Sequence, residues 1–134
     1  MEVKTLINVP VAVGELIDKI TILEVKNKRL TNPEQLEAVA KEMGELKQVA
    51  FQQLQPNEEF VQLYDQLMQV NDFLWELEDE IRHSVHKGSH SKAIALITRI
   101  HRKNDERARI KKRLNQITNS SIVEVKKYAT QDEV

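Results

Sequence analysis

Lys103 and Arg107 stand on a stripe of period three and four that is otherwise apolar, running Ala93, Leu96, Ile100, Ile110, Leu114 and Ile117. Asn104 and Lys111 lie one step around the same helical wheel. A second stripe, Phe60, Leu63, Leu67, Val70, Leu74, Leu77, Ile81 and Val85, is flanked by Tyr64, Met68, Asn71, Trp75, Glu78 and Arg82. A third, Leu16, Ile17, Ile20, Leu23 and Leu30, carries Asp18 and Glu24 at its edge. With antiparallel hairpins and about 1.5 Å per residue, Asn71 comes opposite Asn104, and the charged residues fall within about two turns of that height. Carboxylates (Asp18, Glu24, Glu78) and cations (Arg82, Arg107, Lys111) then share one layer.

Such a layer supports two chemistries. The leading expectation is a mutually neutralised set that fixes helix register, as buried polar residues do in coiled coils. The second is a pocket for a small anionic or hydroxylated ligand. There Arg107 and Lys111 are the charge partners, Asn71 and Asn104 the hydrogen-bonding groups, and Trp75 lies on the same mixed face.

Other signals are weaker. His83, His86 and His90 have a spacing that suits a transition metal, with Asp79 one turn before. They flank a loop, however, and read as a solvated helix end, so no metal and no cofactor is expected. Glu80 and His83 make the Glu-x-x-His step of di-iron bundles without the second copy such sites need. The run from Arg99 to Arg113 is basic but has no interleaved aromatic residue, and the chain carries a net charge of −1 with a pI of about 6.4. These features argue against nucleic acid as a partner. There is no cysteine, and hence neither a disulfide framework nor a thiol nucleophile. No Gly-rich phosphate loop and no G-x-S-x-G is present. The segment Glu15 to Ile20 faintly resembles the opening helix of chorismate mutase, but a cation needed near Ala12 or Val13 is missing.

The stripes predict helices over roughly 14–30, 33–54, 58–86 and 91–118 within a single domain, 1–134. Asn32-Pro33 with Gln35 reads as an N-cap followed by a first-turn proline, Pro56 as a stop and Asn57 as a further cap. Lys87-Gly88 closes the third helix, and Ser89 or Ser91 is placed to cap the fourth. Short connections make neighbours antiparallel, so the expected fold is all-α, an antiparallel four-helix bundle. Residues 3–9 and 121–128 are rich in β-branched residues and are expected to be extended, available to pair as a small ribbon on the bundle. No apolar run approaches a membrane span, and the amino terminus does not read as a secretory leader, so a cytoplasmic location is expected.

Four blocks, kept in order, carry a resemblance. They are Gly14 to Glu24, Asn71 with Leu74 to Arg82, Asn104 to Arg107 with Lys111 and Asn115, and Glu124 to Tyr128. The chain resembles an uncharacterised bacterial family of short helical proteins, a domain of unknown function found near or fused to glycosyltransferases of surface polysaccharides. The resemblance implies an accessory or binding protein serving polysaccharide biosynthesis. The alternative is a small enzyme acting on an anionic or sugar-derived metabolite in the polar layer. Expected partners are a small sugar-like ligand, or a protein partner or second copy through an exposed helix face.

Overall fold

The computed structural model describes residues 2–127. Four helices follow in order: α1, Val13–Arg29; α2, Pro33–Gln53; α3, Glu58–His86; and α4, His90–Ile117. The starts of α2 and α3 follow from their caps. The Asn32 side chain accepts from Glu34 N (2.9 Å) and Gln35 N (3.2 Å), with Pro33 completing the first turn. Asn57 accepts from Phe60 N at 2.8 Å, and Glu58 and Glu59 face the positive end of the α3 dipole. Gly88, at φ 78°, makes the turn into α4. Ser89 occupies the N-cap of α4, but its side chain makes no capping bond.

α3 and α4 form a long antiparallel hairpin. Glu59 meets Arg113 near one end (2.7 Å), and Arg99 and Lys103 stack over the Phe73 ring further along. Lys103 is thus not a core charge, because its ammonium lies on an aromatic face and 3.1 Å from Glu106. α1 lies in the groove of this hairpin. Ile17 and Ile20 join Leu67, Val70, Leu74, Leu77, Ile100, Ile110 and Leu114 in one buried cluster.

α2 departs from the symmetric picture. Its backbone comes close to α1 alone, and Val39 is its only buried residue. Leu46, Ala50 and Leu54 reach the core cluster from the side, and Phe51 is exposed. The four helices form the expected bundle, in which α1, α3 and α4 supply the fully buried core and α2 closes it from the side of α1.

The expected α3 seam also stops short. Ile81 is half-buried and Val85 half-exposed, since nothing packs over the end of the hairpin. No strand forms among the described residues, so residues 3–9 and 121–127 make no ribbon; Tyr128 lies outside the described residues. The segment after α4 runs back along that helix instead, tied by Glu124 to Lys111 and by Lys126 to Asp105. Salt bridges to the helix replace the pairing that β-branched composition alone suggested.

Candidate functional site

Helical spacing brings Asn104, Arg107, Lys111 and Asn115 of α4 along the side of the hairpin that receives α1. Gly14, Asp18 and Thr21 present the matching edge of α1. Asp18 is 1% exposed, which would be untenable for a lone carboxylate. It is fully partnered. Arg107 Nε donates to its Oδ1 at 2.8 Å and Arg107 Nη2 to its Oδ2, a bidentate pair. Asn71 Nδ2 donates to Oδ1 (3.1 Å) and also to Thr21 Oγ1 (2.9 Å), while the Thr21 hydroxyl donates to the Asp18 carbonyl (2.8 Å). The Asp18 hydrogen bond, opposed by burial, holds the Arg107 guanidinium above its ordinary value and keeps it charged.

Lys111 sits on the far side of Asp18, 3.8 Å from Oδ2. Its ammonium donates to Glu15 Oε2 (2.8 Å) and pairs with Glu124 Oε2 (2.7 Å). Burial opposes its charge, but the bonds to Glu124 and Glu15 outweigh burial and raise the amine above its usual range. Three carboxylates surround two cations in this cluster. Next to it, α1 lacks a cap of its own: Ala12 offers no side chain, and the caps come from across the bundle. Asn115 Oδ1 accepts from Gly14 N (2.7 Å) and Ser120 Oγ from Val13 N (3.1 Å).

The expected layer therefore divides. Asn71, Trp75, Glu78, Arg82, Asn104 and Arg107 line one cleft of about 300 Å³, closed by Ile22, Val25 and Leu74. Asp18 lies behind Arg107. Lys111 is absent from the cleft and lines a second cavity, of about 410 Å³, under the tail. Glu24 is turned to the other side of α1, where Lys47 and the Tyr64 hydroxyl bind it, both at 2.7 Å. Neither Glu24 nor Glu78 partners Arg107; that role is Asp18's, six residues before Glu24 on the side of α1 that faces α4. Glu78 is exposed, and Arg82 pairs only loosely with Asp79 at 3.6 Å. Residue-level reasoning missed Gly14, Thr21, Asn115 and Ser120. Asn115 was accessible, lying one helical turn beyond Lys111 on the same face.

The ion pairs set a pH dependence. The Lys111 ammonium holds Glu124 below its ordinary value of about 4.5, and Arg29 (2.8 Å) holds Asp72 below about 3.8. A carboxylate lowered on folding stabilises the fold above its unfolded pKa and loses that contribution as pH falls through the folded one. Lys111, raised, contributes below about 10.5 and loses its share as pH rises beyond that. Melting temperature should thus be flat near neutrality and fall below about pH 4. Both carboxylates touch solvent, so Glu124→Gln should cost only about 0.2–1 kcal/mol at pH 7 and shrink the acid limb. Thermal melts of both proteins across pH check this; stability rising on acidification would contradict it.

Among the described residues, no group of histidine, aspartate and glutamate is placed to hold a metal ion, and no helix is long and apolar enough to cross a membrane. A family model described as a family of unknown function, DUF6165, matches residues 7–133. No curated protein and no solved structure matches the chain.

Proposed function

The chain belongs to the family of unknown function DUF6165, and for this member we propose that the α1–α3–α4 cleft binds one small hydroxylated anion of the sugar-phosphate class. The protein then serves as a binding or accessory module. One observation carries the reading. Arg107 is fixed by its bidentate bond to buried Asp18, yet among the described residues Nη1 meets only Asn104, at a long 3.5 Å. A guanidinium has five donors, so this arrangement leaves N–H groups to spare on a side chain already held still. Preorganisation of that kind lowers the entropic cost of binding.

The neighbours supply what such a ligand needs. Asn71 commits its amide N–H groups to Asp18 and Thr21, leaving its carbonyl oxygen as a fixed acceptor. Arg82 adds an exposed second cation, Glu78 an acceptor for hydroxyls and Trp75 a flat apolar face. The volume is at the small end for ligand sites and suits one sugar-sized molecule. A cytoplasmic, bacterial setting beside surface-polysaccharide assembly is part of the same proposal and rests on the resemblance of the motif blocks.

Trp75 is the only tryptophan in the chain, so its fluorescence reports the cleft alone. Titration with a panel of sugar phosphates and nucleotide sugars should give a saturable change with at least one member. Arg82→Met should abolish it without lowering the melting temperature, because that side chain is 67% exposed. A flat response across the panel, with no thermal shift, would sink the proposal. Conversion of the bound compound in the same samples would replace the binding module by the enzyme reading.

A further inference from the structure

We propose that the ligand of the α1–α3–α4 cleft carries a protonated amine as well as its anionic group, which makes it an amino-sugar phosphate, and that Glu78 selects the amine. The assignment rests on the sugar-phosphate reading of the cleft and narrows it to a zwitterionic class.

Charge is the first reason. The charged side chains that line the cleft are Glu78, Arg82 and Arg107. Each guanidinium already faces a carboxylate of its own: Arg107 is bidentate on Asp18, and Arg82 lies 3.6 Å from Asp79. Glu78 stands four residues before Arg82 on α3, the spacing and order that favour a helical ion pair. The pair does not form, because Arg82 turns to Asp79, and Glu78 has no cation within ion-pair distance among the described residues. The uncompensated charge of the cleft is therefore negative. A ligand bringing only an anion would add to it, whereas one that also brings an ammonium group cancels it.

Hydrogen bonding is the second. Asn71 is 6% exposed, and its amide can be oriented only one way. Its Nδ2 faces the Asp18 carboxylate, which only accepts, and Thr21 Oγ1, whose own proton goes to the Asp18 carbonyl. Oδ1 is left as an acceptor without a donor in the cleft that Asn71 lines. Asn104 is oriented the opposite way, since its Oδ1 faces the donor Arg107 Nη1 and its amide N–H groups remain as donors. α4 thus offers donors, which suit a phosphate, and α3 offers acceptors, Asn71 Oδ1 and the Glu78 carboxylate. A neutral acceptor suffices for a hydroxyl. A carboxylate adds most where the donor is charged, and Trp75, one turn before Glu78, offers an ammonium group the face of its ring.

Trp75 fluorescence titrations of the full chain with glucosamine phosphate, glucose phosphate and N-acetylglucosamine phosphate test it, each with the phosphate at either end of the sugar. The free amine should bind about tenfold more tightly than the hydroxyl or the acetylated amine, the order of a hydrogen bond to a charged group. Glu78→Gln should remove that preference while leaving the weaker affinity for glucose phosphate in place. Because Glu78 is exposed, the variant should melt with the parent. Equal affinity for the three sugars would overturn the amine assignment and leave the sugar-phosphate reading standing. So would a preference that survives Glu78→Gln, since the amine would then be read elsewhere. Silence toward all of them also overturns it, and takes the sugar-phosphate reading with it only if nucleotide sugars and other sugar phosphates are silent too.

Discussion

Replacing Arg107 by methionine should destabilise the fold by about 3–5 kcal/mol, the usual cost of stranding one member of a buried ion pair. The magnitude follows from Asp18 rather than from Arg107, whose side chain is 29% exposed. Asp18 is 1% exposed, and without the guanidinium it retains only Asn71 as a hydrogen-bond donor, with Lys111 distant at 3.8 Å. Asp18→Leu combined with Arg107→Met should recover much of the loss, since a hydrophobic pair of similar volume often substitutes for a buried ion pair. Urea melts of the two single variants and the double variant measure the coupling. Near-native stability of Arg107→Met would mean that the pair is not a neutralised structural element.

Gly14→Ala should cost about 1–3 kcal/mol, the range for overpacking a closed site. A Cβ built on Gly14 lies far inside van der Waals contact with the Lys111 carbonyl oxygen and 3.0 Å from Asn115 Oδ1. Backbone cannot swing aside as a flexible side chain does, so α1 must retreat from α4. That retreat strains the Gly14 N to Asn115 bond that caps α1, and it shifts Asp18 one turn further on. Gly44→Ala is the control. A Cβ there meets nothing within 4 Å, so the change should be neutral or slightly stabilising through helix propensity. Equal melting temperatures for the two variants would contradict the close approach of α1 and α4.

The helices were legible because their signals are local. Asn32-Pro33, Asn57 and Gly88 end or start elements by chemistry contained within four residues, and the three-and-four stripes need only a wheel. Packing was less legible. On α2 the residues Val39, Leu46, Ala50 and Leu54 follow the same spacing of three and four, yet such spacing does not say how deeply each will be covered, and only Val39 is buried. The same limit applies to the polar layer. A common height placed Asn71, Asn104 and Arg107 together correctly, but height does not say which way round α1 a carboxylate turns. Asp18 faces α4 and Glu24 faces α2 because they are six residues apart, well short of two full turns. Gly14 and Ser120 were illegible for another reason. Their roles come from a close approach and a cap made between segments about a hundred residues apart.

If Arg107, held from behind by Asp18, forms part of a ligand-binding cleft, the ligand must seat against it. A crystal structure grown with the sugar phosphate that most changes Trp75 fluorescence tests it most directly. Density is expected between Asn71, Glu78, Asn104 and Arg107, with an anionic group within hydrogen-bond distance of Arg82 or Arg107 and the Asp18–Arg107 pair intact. Ligand density lodged under the tail beside Lys111, or a cleft filled by its own side chains while the ligand binds elsewhere, would contradict it.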